Sequence, residues 1–369
     1  MASQGNMGQI HDGKLTHIQL LRALSGLIVV ISHVGWGFAD HVGPGLGFGL
    51  GANLPGNAAI MVFFLISGYI MVVSSGPLFG DPKARRIFWV RRIIRAMPPY
   101  WIATIIFIVV MVVLQGQWFG TDRIAKSIAL IPYWPDGEGK PLPVLWPGWT
   151  LYYEMVFYML FGVMIAQGRI AAMAFTGLAC LALSLVGLTM QFESPILHTF
   201  TQPIFLLFIV GMGLGWLAVN GRQLPAWIRI VCLLGFVAAV ITAQAPEPSI
   251  GYGIDYLAWC ALPAVLFFTA VVGGPLPLPF PRFITLAGDS SYAVYLLHVP
   301  IAWLAMWIFG QLRFYGGPWA YFLLASVMVY ALSWLFFRHV ERPMTRWLNR
   351  RFAVDGKRAR LEPALADAT

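Results

Sequence analysis

The sequence predicts an all-α, polytopic membrane protein of about ten transmembrane helices, with both termini in the cytoplasm. Three observations lead there. Hydrophobic residues make up 59% of the 369 positions and charged residues 11%, with a mean hydropathy of +0.74, far more apolar than a soluble domain. Apolar runs long enough to cross a bilayer recur from one end of the chain to the other. Of the 24 Lys and Arg, nineteen fall on one side of the resulting topology, four on the other and one, Arg22, inside the first run; such asymmetry marks the cytoplasmic side.

Taken in order, the first run, 15–36, reads as a retained span, because Arg22 interrupts its apolar region and no small-x-small cleavage site follows. The second is 57–75. A basic connector, "GPLFGDPKARRIFWVRRIIRAMPP", then leads into a third span at 99–115, and the fourth to tenth occupy 149–167, 170–190, 200–219, 228–244, 256–272, 290–310 and 318–337. Two long connections, 37–56 and 116–148, fall on the extracytoplasmic side. Their Gly, Pro and Trp content fits either structured loops that roof a cavity or plain connections. After the last span, "RHVERPMTRWLNRRFAVDGKRAR" reads as a basic amphipathic helix along the inner headgroups, fraying towards the end. The organisation is therefore a segment 1–14, a membrane domain 15–345 and a basic tail 346–369.

The net charge of +9 reports topology and contact with anionic lipid, and no exposed basic face calls for nucleic acid. Cys180, Cys232 and Cys260 lie in apolar runs with neither metal-ligand spacing nor a disulfide framework, so no metal is expected.

An ionisable group inside a span costs a few kcal/mol, so each one is a site candidate. Arg22 and His33 are eleven residues apart, which puts them about 20° apart around a helix and roughly 16 Å apart along it. Arg22 either snorkels to headgroups or points into the bundle; His33 is either a satisfied interhelical partner or a base. Glu154, in "WTLYYEMVFY", lies just inside the outer end of the fourth span at a depth comparable with His33, where a carboxylate either fixes the tautomer of that imidazole, as base chemistry requires, or forms a purely structural pair that ties two helices together. His298 precedes Pro300 and suits a kink or a ligand contact. Arg92 and Arg95 share one helical face at the membrane surface, where they fit lipid phosphates or a phosphorylated ligand.

These residues sit in a recognisable order. "R-x10-H" in the first span, "FFLISGY" in the second, "RRIIRAMPPYW", then "WTLYYEMVFY", "GDSSYAVYLLHVP" and a closing "ERP" resemble the acyltransferase-3 family of membrane-bound acyltransferases, from about residue 15 to 345. The resemblance implies an O-acyltransferase of the bacterial inner membrane that moves an acyl group, usually acetyl, from cytoplasmic acetyl-CoA or another acyl-CoA to a hydroxyl of a cell-surface or lipid-linked polysaccharide. Family members of this length resemble exopolysaccharide and lipopolysaccharide O-acetyltransferases; others carry a fused soluble domain of the SGNH type, for which this chain has no room. The family's Arg and His fall on Arg22 and His33, its connector pair on Arg92 and Arg95, and its Glu on Glu154. Arg92 and Arg95 are then expected to hold the CoA phosphates, with Ser67, Tyr69 and His298 as further lining of the donor site. His33 is the base or the acyl carrier, Glu154 its orienting group, and Arg22 a support for the donor or the oxyanion. Expected partners are the bilayer, the glycan acceptor and glycan biosynthesis proteins. A transporter or flippase remains the rival from another class, and a succinyl donor or a non-glycan acceptor the rival within the family.

Overall fold

The computed structural model describes residues 5–41, 54–135, 139–242, 253–275, 282–311 and 317–352, and among them all regular structure is helical. In chain order the helices are α1 (Gly5–His41), α2 (Leu54–Ser74), α3 (Ala84–Gln115), α4 (Thr121–Ile128), α5 (Trp149–Met164), α6 (Arg169–Thr189), α7 (Pro195–Phe200), α8 (Leu206–Val219), α9 (Ala226–Thr242), α10 (Ile254–Tyr256), α11 (Leu262–Val272), α12 (Arg282–Asp289), α13 (Ser291–Gln311), α14 (Gly317–Phe336) and α15 (Arg342–Phe352). Among the described residues, nine helical segments are long and apolar enough to cross a membrane. A shorter apolar helix, α9, stands where the seventh span was expected. The chain is an all-α, multi-pass membrane protein.

Burial orders the bundle. The apolar window of α2 is 72% buried whereas that of α6 is 22% buried, which puts α2 at the centre and α6 at the lipid-facing rim. What lets α2 sit there is glycine. A Cβ on Gly68 would lie 2.3 Å from the Phe208 carbonyl oxygen of α8, one on Gly211 would lie 2.2 Å from the Leu65 oxygen, and one on Gly215 would lie 2.8 Å from the Tyr69 oxygen. The two helices thus meet backbone to backbone, the use that small residues at four-residue spacing serve in membranes. Gly213, on the same helix, has nothing within 4 Å of its added Cβ. We expect Gly68→Val to destabilise the protein by about 3 kcal/mol, the upper end for overpacking because the obstacle is backbone and no rotamer relieves it. Gly213→Ala should be nearly neutral. Thermal melting of the two variants in detergent checks the contrast.

One element departs from expectation. From Ala84 onwards the basic connector and the third span are one 32-residue helix, α3, which runs through Pro98 and Pro99. Two prolines remove two intrahelical donors, but neighbouring groups hold the segment. The Tyr292 hydroxyl donates to the Ala96 carbonyl at 2.8 Å, and buried Tyr100 donates to the Ser127 carbonyl at 2.9 Å. Arg92 and Arg95 therefore stand on a rigid helix and not on a loop. The connection 116–148 is also ordered where described: α4 is tied down by Trp101 Nε1 donating to the Ile128 carbonyl at 3.0 Å and by Ser127 Oγ accepting from Val144 N–H at 2.8 Å. Most of the connection 37–56, and tail residues 353–369, lie outside the described residues.

Candidate active site

Five helices, α1, α2, α3, α5 and α13, contribute to a polar column, and side-chain pairs fix their levels. On α1, Arg22 Nε donates to Ser291 Oγ of α13 at 3.1 Å, and one helical stretch further His33 meets His298, ring centroids 4.8 Å apart. The two helices therefore run parallel. On α5 and the turn before it, Trp146, Thr150, Glu154 and Tyr158 recur every four residues and line one side, each about 6 Å deeper than the last. Trp146 packs at a tilt against His33, ring centroids 4.8 Å apart and planes 51° from parallel. Thr150 Oγ1 is 3.0 Å from the Tyr295 hydroxyl, which donates to the Pro147 carbonyl at 2.6 Å. Glu154 accepts from Ser67 of α2 at 2.9 Å and from the Tyr158 hydroxyl through the same carboxylate oxygen.

The lower part of the column is a cavity of about 100 Å³ that brings together Arg22, Arg92, Arg95, Glu154, Ser67 and Tyr158, room for several water-sized groups. Arg92 is held over the Tyr158 and Phe88 rings, 5.4 and 5.6 Å from their centroids, while its Nη2 donates to Ser74 Oγ at 3.3 Å. Arg22 is almost fully enclosed, with the Arg95 guanidinium and the Asp289 and Glu341 carboxylates within electrostatic reach. Three guanidinium groups, Arg22 from α1 and Arg92 and Arg95 from α3, line this cavity and make a cradle for a polyanion.

The upper part is built from two imidazoles. His33 Nδ1 lies 2.8 Å from the Val29 carbonyl and His298 Nδ1 lies 2.7 Å from the Tyr295 carbonyl. A carbonyl only accepts, so in each neutral ring Nδ1 carries the proton and Nε2 keeps its lone pair. His298 is completely buried and its Nε2 makes no hydrogen bond. The column thus has a cationic end and a basic end, separated along α1 by roughly 16 Å.

Several expectations need correction. Glu154 bonds to Ser67 and Tyr158, and the tautomer of His33 is set by the Val29 carbonyl of its own helix. The reason is depth: Glu154 lies eight residues, about 12 Å, further along α5 than Trp146, the residue that touches His33. Tyr69 is not cavity lining. Two residues from Ser67 means a rotation of about 200°, and its ring packs edge-on against Phe268 at 6.1 Å. His298 belongs to the imidazole end and not among the arginines. Ser67, Arg92 and Arg95 do line the cavity. Sequence reasoning missed Trp146, Thr150 and Tyr158, although their four-residue ladder through Glu154 was there to read. It also missed Glu341 as a site residue, whose carboxylate is buried, with Oε2 unbonded, within electrostatic reach of Arg95 and Arg22; it is the Glu of the closing "ERP", and that was the signal.

Comparison with known proteins identifies the family of the chain. Residues 15–338 match the acyltransferase-3 family, described as an acyltransferase domain. The chain is 31% identical over 250 residues to the exopolysaccharide production protein ExoZ of Rhizobium meliloti (strain 1021), covering 66% of this chain and 75% of that protein. It is 27% identical over 348 residues to an O-acetyl transferase of Shigella phage Sf6, covering 89% and 95%. A further relative, YrhL of Bacillus subtilis (strain 168), is 23% identical over 374 residues, which are 90% of this chain and 55% of YrhL. No solved structure matches the chain. The chain belongs to the acyltransferase-3 family and is a multi-pass membrane O-acyltransferase.

Proposed function

We propose that the protein transfers an acetyl or related acyl group from cytoplasmic acyl-CoA to a hydroxyl of a cell-surface or lipid-linked polysaccharide, from the inner membrane of a bacterium with both termini inside. The observation that carries this reading is the polarity of the column, three arginines at one end and two imidazoles about 16 Å away at the other. A CoA-type donor is polyanionic at one end and reactive at the other, joined by a flexible arm of comparable length. In this reading the donor phosphates rest on Arg92 and Arg95, Arg22 steadies the arm, and the thioester reaches His33. His33 Nε2 takes the proton from the acceptor hydroxyl as its oxygen bonds to the thioester carbon; collapse of the tetrahedral oxyanion expels the CoA thiolate, which takes that proton back. Glu154 balances Arg92 and holds Ser67 and Tyr158 in place. The membrane domain 15–345 carries all of these residues. The relative named for exopolysaccharide production and the one named O-acetyl transferase support a glycan acceptor and an acetyl donor.

Purified protein given labelled acetyl-CoA and deacetylated surface polysaccharide from its host should leave the label ester-linked to the glycan. Movement of glycan or proton across vesicles without transfer would favour the transporter instead. Arg92→Ala with Arg95→Ala should weaken acetyl-CoA binding by tenfold or more, the size of one lost charge-assisted bond, read by titration in detergent. Unchanged affinity would return the pair to lipid contact.

A further inference from the structure

A second groove, of about 560 Å³, lies where the last membrane helix turns basic, between α12, the end of α14 and α15. Arg338, Arg342, Arg346 and Arg350 line it at a constant spacing of four, so each lies within about 40° of the next around the helix. The rest of the lining is mainly apolar. Trp334 holds Arg338 at 5.3 Å from its ring, and Leu286 and Trp347 are 52% and 60% exposed, so they are not core packing. Among the described residues, no acidic side chain lines the groove.

We propose that this groove binds the phosphate headgroup of an anionic phospholipid, with the arginines on the phosphate and the chains against Leu286 and the two tryptophans. The chemistry favours an amphiphile over a free anion, because half of the lining would be idle around inorganic phosphate while tryptophan and arginine stems suit the bilayer interface. It also disfavours an adenine nucleotide. The polar side chains are all donors, arginine and indole N–H, and none accepts from an exocyclic amine. The site is separate from the donor cavity and does not depend on which acyl group or acceptor the enzyme uses.

The test uses the full chain purified in an uncharged detergent, with phosphatidylglycerol or phosphatidylcholine added and retention read by native mass spectrometry. Phosphatidylglycerol should be retained in preference to phosphatidylcholine, and retention should fall about fivefold for each arginine removed in the series Arg342→Gln, Arg346→Gln and Arg350→Gln. The corresponding Lys variants should retain most of it. Equal retention of both lipids by the unmodified protein would overturn the proposal whatever the variants do. So would displacement of the lipid by inorganic phosphate or adenosine 3′,5′-bisphosphate at matched concentration, or undiminished binding by a folded Gln variant.

Discussion

His33→Ala should lower acyl transfer by about 10²- to 10⁴-fold, the usual contribution of a positioned base, while the protein remains inserted and abundant. Stability should change little, because His33 donates only to the Val29 carbonyl of its own helix and the rings beside it, Trp146 and His298, have other neighbours. The measurement is mass spectrometry of surface glycans from cells carrying either form, with immunodetection of the protein in the membrane fraction. Acetylation at the original level would remove His33 from the chemistry. His33→Gln sharpens the result: an amide can fill the space and bond to Val29, yet it cannot take a proton, so it should be as inactive as Ala. A histidine kept only for interhelical packing would be rescued by Gln.

Glu154→Ala should have the second largest effect, on stability as well as on activity. The substitution strips the shared acceptor from Ser67 and Tyr158 and leaves Arg92 beside them without its nearest carboxylate. Breaking a fully buried pair costs about 3–5 kcal/mol; Glu154 stays partly open to the cavity, so we expect roughly 2–3 kcal/mol. Glu154→Gln keeps the acceptor and should melt close to the parent, while acetyl-CoA binding should hold or tighten because the negative charge that competes with the donor phosphates for Arg92 is gone. Melting temperature and donor affinity, measured on both variants, separate the two contributions. If Gln melts as early as Ala, the carboxylate's charge and not its hydrogen bonds holds the site together.

Some of this was legible in the residues alone. The all-helical membrane fold follows from apolar length, and the two depths of Arg22 and His33 follow from eleven residues on one helix, because both depend only on local geometry. The partner of Glu154 was not legible. Its level relative to α1 depends on where α5 enters the bundle, and that is set by Trp146 and Pro147 packing against α13, a tertiary matter. The same applies to the paired prolines of α3, which propensity marks as a break and which Tyr292 and Tyr100 hold in place from outside the helix. Tyr69 is a different case. Its separation from Ser67 excluded a shared face from the start, and reading "FLISGY" as a unit obscured a rotation that the numbering already contained.

The glycine contact between α2 and α8 has a mechanical consequence. Where backbones touch through Gly68, Gly211 and Gly215, no side chain lies between them to change rotamer and absorb a displacement. The two helices therefore move as a single strut, and Ser67, next to Gly68, is bolted to it. Where α1 and α13 meet, the contact runs through flexible side chains such as Arg22 and Ser291, which can change rotamer and let the chamber widen. The chamber has one fixed wall and one compliant wall. The fixed one carries the hydroxyl that Glu154 holds, and the compliant one carries both histidines.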